Sequence, residues 1–130
     1  MKKYISILII PRLFLATTLT ASYFENYVVQ AKILAKLSNN KTKKILKKYN
    51  TFLTYNRGVQ VTVIQAKAIN GSHSTNRFAK GQKIEIVTST DDETLLSLIK
   101  KGNKLTLTYT YEDDITDDGL YESSSWVLEK

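Results

Sequence analysis

The sequence predicts a mainly β (α+β) domain. The expected form is a small five-stranded barrel, with a helix between strands 3 and 4 and an amphipathic helix inserted between strands 1 and 2. Three observations predict it. Val59, Val61 and Val63 alternate with Gln60 and Thr62, the period of two that marks a half-buried strand. The apolar set then changes phase to Ile64, Ala66 and Ala68, while Gln65 and Lys67 take the parity the valines held. A strand whose buried side switches needs a bulge or sharp coil near Val63–Ile64, and long bent strands are what close small barrels. Finally, 130 residues with 42% hydrophobic content, eight Tyr and four Phe suffice for one domain with its own core.

The other elements follow from local pattern. Tyr27 to Leu37 alternates Val29, Ala31, Ile33, Ala35 and Leu37 with Gln30, Lys32 and Lys36, which predicts the first strand; a helix is the rival reading, since Ala, Leu and Lys form helices well. Ser38-Asn39-Asn40 reads as the turn that ends it. Over Thr42 to Leu53, Ile45, Leu46, Tyr49, Phe52 and Leu53 share one helical face and four lysines lie mostly opposite, the pattern of a short amphipathic helix. Tyr55-Asn56-Arg57-Gly58 turns into the central strand. After the polar loop Ser72 to Arg77, Lys80-Gly81-Gln82 precedes a third strand that places Ile84 and Ile86 on one side, Lys83 and Glu85 on the other. Thr90-Asp91-Asp92-Glu93 reads as a capping box; Leu95, Leu96, Leu98 and Ile99 form the buried face of the helix it starts, and Gly102 its stop. Leu105, Leu107, Tyr109 and Tyr111 alternate with threonines in the fourth strand. Glu112 to Gly119 reads as an acidic loop, and Tyr121 to Glu129 as the last strand, with Trp126 and Leu128 on one face.

This order of elements, the bent strand and the Lys80-Gly81-Gln82 and Lys101-Gly102-Asn103 punctuation resemble the oligonucleotide/oligosaccharide-binding (OB) barrel over residues 27 to 129. The same features are similar to the extracytoplasmic β-domain of YibE/F-type bacterial membrane proteins, although the many membrane spans of that family have no counterpart in these residues. The resemblance lies in architecture and in no catalytic motif. What it implies is a binding module.

Residues 1–22 read as a targeting segment, either a signal peptide or an N-terminal membrane anchor, followed by the barrel domain at 23–130. Met1-Lys2-Lys3 is positive, Tyr4 to Ala21 is mostly apolar, and small residues at Ala21 and Ser22 offer a cleavage point. Arg12 and Pro11 interrupt the run, so a retained anchor and a buried cytoplasmic helix stand as alternatives. The expected localisation is secreted or cell-envelope associated, with membrane association through residues 4–21. The chain has no cysteine. It therefore lacks a disulfide framework, a lipid-modified cysteine, thiol catalysis and thiolate metal sites.

Charge is divided along the chain. Residues 23–83 hold twelve Lys/Arg and the single acid Glu25, whereas residues 84–130 hold four Lys and eleven acids. Such asymmetry suits an anionic partner or self-association, or mutual neutralisation across one barrel. The basic run lies in the connection between the first two strands, one of the loops OB barrels use for ligands. Lys43, Lys44, Lys47 and Lys48 would meet phosphates there, with Arg57 beyond them, while Tyr49, Phe52 and Tyr55 would stack on bases or sugars. The alternative is a solvated helix face whose aromatics cover the barrel end. The predominance of lysine favours diffuse attraction over bidentate readout.

Enzymatic readings find less support. His73 is the only histidine and sits in a polar loop; with no cysteine, neither a zinc site nor a nucleophilic triad is expected. Asp91 and Asp92 read as helix N-terminal charge, and the three arginines are scattered. Asp114, Thr116, Asp118 and Gly119 match the start of a calcium loop, but Ser125 stands where its bidentate Glu belongs; the alternative is a polar hairpin turn. No catalytic residue, metal site or cofactor is expected. The expected function is an exported, non-enzymatic adaptor at the bacterial cell envelope, with an anionic polymer (nucleic acid, teichoic acid or anionic lipid) or another protein as partner. A secreted protein-interaction factor of immunity or virulence type, and a Ca-dependent exported nuclease, are the alternatives.

Overall fold

A computed structural model describes residues 22–47, 53–69 and 77–130. Residues 1–21 of the expected targeting segment, residues 48–52 of the expected inserted helix and the loop holding His73 lie outside the described residues. Five strands close into a barrel: β1 (Ser22–Lys36), β2 (Tyr55–Ala68), β3 (Lys83–Thr90), β4 (Lys104–Thr116) and β5 (Gly119–Glu129). Around the barrel they run β1-β2-β3-β5-β4 and back to β1. Every pairing is antiparallel except β3 with β5, which meet in two parallel rungs, Thr88 with Trp126 and Ser89 with Val127. This is an OB-like barrel, with helical segments between β1 and β2 and between β3 and β4.

The phase change in the central strand is a bulge at Ile64. Gln65 pairs with Gln30 and Val63 with Ala31, so Ile64 has no residue opposite it. Val59, Val61 and Val63 face the core at 0 to 2% exposure. Past the bulge, Ala66 and Ala68 take over the same face and pack against that core. Each valine so buried contributes about 1.5–3 kcal/mol of transfer free energy. A second irregularity sits in β1, where Ile33 pairs with Val61 but Ala35 with Gln60, leaving Leu34 as the extra residue. It corrects the expected burial of β1: Val29, Ala31 and Ile33 are buried, but Ala35 is exposed because the parity has already changed.

Both irregularities are held by the same device. Gly81 donates its N–H to the carbonyl of Val63, and Val63 donates back to Gln82. Gly102 donates to the carbonyl of Ile33, and Ile33 donates back to Asn103. The two Lys-Gly-(Gln/Asn) turns thus satisfy backbone groups beside the two bulges, and both glycines have positive φ, at 84° and 89°.

Three local expectations need correction. The inserted helix, α1 (Asn39–Leu46), starts before Thr42 because Ser38 is its N-cap, its Oγ accepting the Lys41 N–H at 3.2 Å. The segment between β3 and β4 is a 3-10 helix, Glu93–Leu98, capped by Asp92 and not by Thr90. Asp92 accepts from both the N–H and the hydroxyl of Thr94, which holds its carboxyl below the usual value. Gly102 belongs to the turn into β4, not to the helix end, and Leu98 is exposed. Finally, the acidic loop is strand: β4 runs on to Thr116 and β5 begins at Gly119, with Thr116 opposite Gly119. Pairing with the N-terminal part of β1, from Ser22 with Asp114 onward, supports this extension.

Candidate functional site

The expected ligand residues are brought together only in part. Lys43, Lys44 and Lys47 stand exposed on and just after α1, and none of the helix residues is fully buried. Lys43 and Lys44 occupy its last turn, where cations suit the carbonyl end of the helix. Tyr55 opens β2 opposite Thr90 and is half-buried. Arg57 is exposed and donates to the carbonyl of Asn56 at 2.9 Å. Lys48, Tyr49 and Phe52 lie outside the described residues, and with them most of the expected stacking platform.

Helix α1 crosses β2 at Gly58, where a Cβ would fall on the hydroxyl of Thr42 and 3.0 Å from its Cβ. Beside this crossing lies a cleft of about 260 Å³ lined by Lys36, Asn39, Asn56 and Arg57 among others. On the other side of α1, Lys41 reaches Glu85 of β3 at 3.2 Å. Both side chains are substantially exposed, so this pair adds little to stability.

The sheet supplies a basic row that local sequence pattern does not reveal. Lys32 of β1 lies directly opposite Lys104 of β4, and on its other side opposite Thr62, which in turn faces Lys83 of β3. All three lysines are exposed. Side chains directly opposite on neighbouring strands stand about 5 Å apart at Cβ, and like charges there repel. Among the described residues the ion pairs are Lys41–Glu85 and Arg77–Glu25, so neither Lys32 nor Lys104 is neutralised in one. The available signal was the repeated Lys-Gly-Gln-Lys at 80–83 and Lys-Gly-Asn-Lys at 101–104, which opens β3 and β4 with a lysine each.

At the opposite end of β1 the chemistry is aromatic and acidic. Glu25, only 1% exposed, receives two hydrogen bonds from Arg77, from Nε at 2.8 Å and from Nη2 at 2.5 Å, and one from the Tyr27 hydroxyl at 3.3 Å. The Glu25 bond raises the guanidinium pKa further above its usual value. The guanidinium carbon lies 4.9 Å from the Tyr111 ring centre and 5.7 Å from that of Tyr109. Beneath it, Phe78 meets Tyr27, Tyr109 and Trp126 edge-on at 5.1 to 5.4 Å, and Tyr109 meets Trp126 at 4.6 Å. A cleft of about 300 Å³ opens over this cluster between β3 and β5. Trp126 and Tyr109 are nearly fully buried and Phe78 is half-buried, so the cluster packs mainly as part of the core, although all three rings line that cleft.

Beyond it the hydroxyl of Tyr111 is shared between Asp113 (3.2 Å) and Glu122 (3.1 Å), and burial together with these bonds pushes its pKa up to about 12. The residues that resembled a calcium loop lie on this paired hairpin, Asp114 opposite Tyr121 and Thr116 opposite Gly119. Among the described residues no three His, Cys, Asp or Glu side chains are placed to hold a metal. Nor is any described helix long and apolar enough to cross a membrane. The chain matches no family model, no curated protein and no solved structure.

Proposed function

We propose that this chain is an exported, non-enzymatic binding or adaptor module of the bacterial cell envelope, and that its ligand is an anionic polymer built on phosphodiesters. Nucleic acid, teichoic acid and anionic lipid headgroups share that chemistry. The observation that carries the reading is the face-to-face placement of Lys32 and Lys104, with Lys83 two strands from Lys32, across Thr62. A fold bears such repulsion at a cost, and a row of phosphates relieves it. Lys43, Lys44 and Lys47 extend the same positive field beyond the end of β1, about four residues or 13 Å of strand from Lys32. Point-like ammonium groups suit a repeating backbone better than one shaped ligand. Placement at the envelope rests on the apolar stretch 4–21 and its positive start.

Binding of a labelled single-stranded oligonucleotide, a poly(glycerol phosphate) and phosphatidylglycerol vesicles, each across a salt series, tests the reading. The affinity for at least one should fall steeply with salt. Lys32→Ala with Lys104→Ala, or Lys43→Ala with Lys44→Ala, should flatten that dependence. The expected change in the log–log slope is roughly 0.7–0.9 for each phosphate that the variant no longer neutralises. Salt-independent binding, or none, overturns it. Cell fractionation with N-terminal sequencing tests the localisation.

A further inference from the structure

An acidic group and a basic group of side chains stand at different places on the barrel, although Glu85 sits beside α1, paired with Lys41. β1 runs from Ser22, opposite Asp114, to Lys36, two residues before the cap of α1. At the first end the β4–β5 hairpin bears Glu112, Asp113, Asp114, Asp117, Asp118 and Glu122; at the second stand the lysines of α1. A strand of 15 residues spans several screening lengths at physiological salt, each about 8 Å. The hairpin and the helix therefore do not neutralise each other within one molecule.

The hairpin also exposes apolar side chains. Ile115 and Leu120 pair directly across its two strands at 43% and 56% exposure, and Tyr121 follows at 55%. Ile115 and Leu120 lie past the Ser22–Asp114 rung, where β1 no longer flanks β4 among the described residues, and Tyr121 stands at that rung, opposite Asp114. Apolar residues gathered on a narrow two-stranded ribbon are more than scattered surface hydrophobes. Helix α1 offers the complement: exposed Lys43, Lys44 and Lys47 around the half-buried Ile45 and Leu46.

We propose that the hairpin tip of one copy docks on the α1 end of a second copy. The two surfaces differ, so the contact is head-to-tail and propagates into a chain or ring instead of closing as a two-fold dimer. It stands apart from polyanion binding but shares its lysines, so the acidic hairpin and a polyanion compete for the same end.

Sedimentation of the full chain over a concentration series, at low and high salt, tests this with two variants. One carries Lys43→Glu and Lys44→Glu; the other carries Ile115→Ser and Leu120→Ser. All four positions are exposed or at the ribbon tip, and thermal melts verify that both variants fold. The unmodified protein should assemble beyond a dimer at low salt and revert to monomer at high salt. Each variant alone should stay monomeric. Mixed, they should form a one-to-one dimer and stop there, because one intact tip meets one intact helix. Three results overturn the proposal: a monomer under all conditions, a lysine variant that still dimerises alone through tip-to-tip pairing, or a serine variant that still assembles, as packing through residues 4–21 would produce. Polyanion binding measured on the serine variant keeps the two readings apart, since loss of its assembly should leave that binding intact.

Discussion

Arg77 reaches Glu25 across 52 positions of sequence and grips both carboxylate oxygens, at 2.8 and 2.5 Å, while that carboxylate is almost entirely shielded from water. Removing one member of such a pair costs far more than the pair itself contributes, because a charge is left buried without this counter-charge. Arg77→Ala should destabilise the barrel by about 3 kcal/mol. Glu25→Leu combined with Arg77→Met should recover most of the loss. Denaturant melts of the two variants beside the unmodified protein measure both effects.

Thr42 and Gly58 meet where α1 crosses β2, at a distance that leaves no room for a methyl group on the glycine. Gly58→Ala should therefore push the helix off the sheet, with the roughly 1–3 kcal/mol loss typical of overpacking. Thr42→Ala made together with it removes the clashing hydroxyl and should restore part of the stability. A double-mutant cycle on thermal midpoints reads the coupling directly.

Gly81 and Gly102 offer a cleaner backbone measurement. A Cβ at either position meets nothing within 4 Å, so substitution tests φ alone. Gly81→Ala and Gly102→Ala should each cost about 1–2 kcal/mol. The two turns serve different bulges, so their costs should add.

The pH dependence at the alkaline limit follows from Tyr111. Its folded-state pKa of about 12 exceeds the ordinary 10.0, so the fold prefers the neutral phenol. The resulting stability is fully present below pH 10 and is lost as pH rises through 12. Spectrophotometric titration should show a late phenolate step that Tyr111→Phe removes, and the stability of that variant should fall less between those two pH values.

Much of the barrel was legible because its central device is written locally. The slip from Val63 to Ile64 in the apolar pattern is the bulge itself, and the turn glycines mark where β3 and β4 begin. What was misread depended on neighbours distant in sequence. Glu112 to Gly119 has a loop's composition, yet β1 flanks Glu112 to Asp114 and β5 pairs with the stretch as far as Thr116, which makes most of it strand. Ser38-Asn39-Asn40 suits a turn and a helix start equally well, and the cap geometry decided for the helix. The lysine row could not be read without strand register, since Lys32 and Lys104 become neighbours, with Lys83 across Thr62, only when β1 is flanked by β2 and β4 and β2 by β3. Glu25 and Arg77 carry no local pattern at all; their partnership is a product of closure.

That closure has an uneven seam. Four of the five strand pairings are long ladders, but β3 and β5 share two rungs, and a wedge of Phe78, Tyr109 and Trp126 rings fills the gap beside them. The cylinder is shut there by side-chain packing more than by peptide pairing. Under heat or denaturant it should part first along this line and unroll to a curled four-ladder ribbon, so the amides at Thr88–Ser89 and Trp126–Val127 should exchange with solvent before those facing them across β2 and β4.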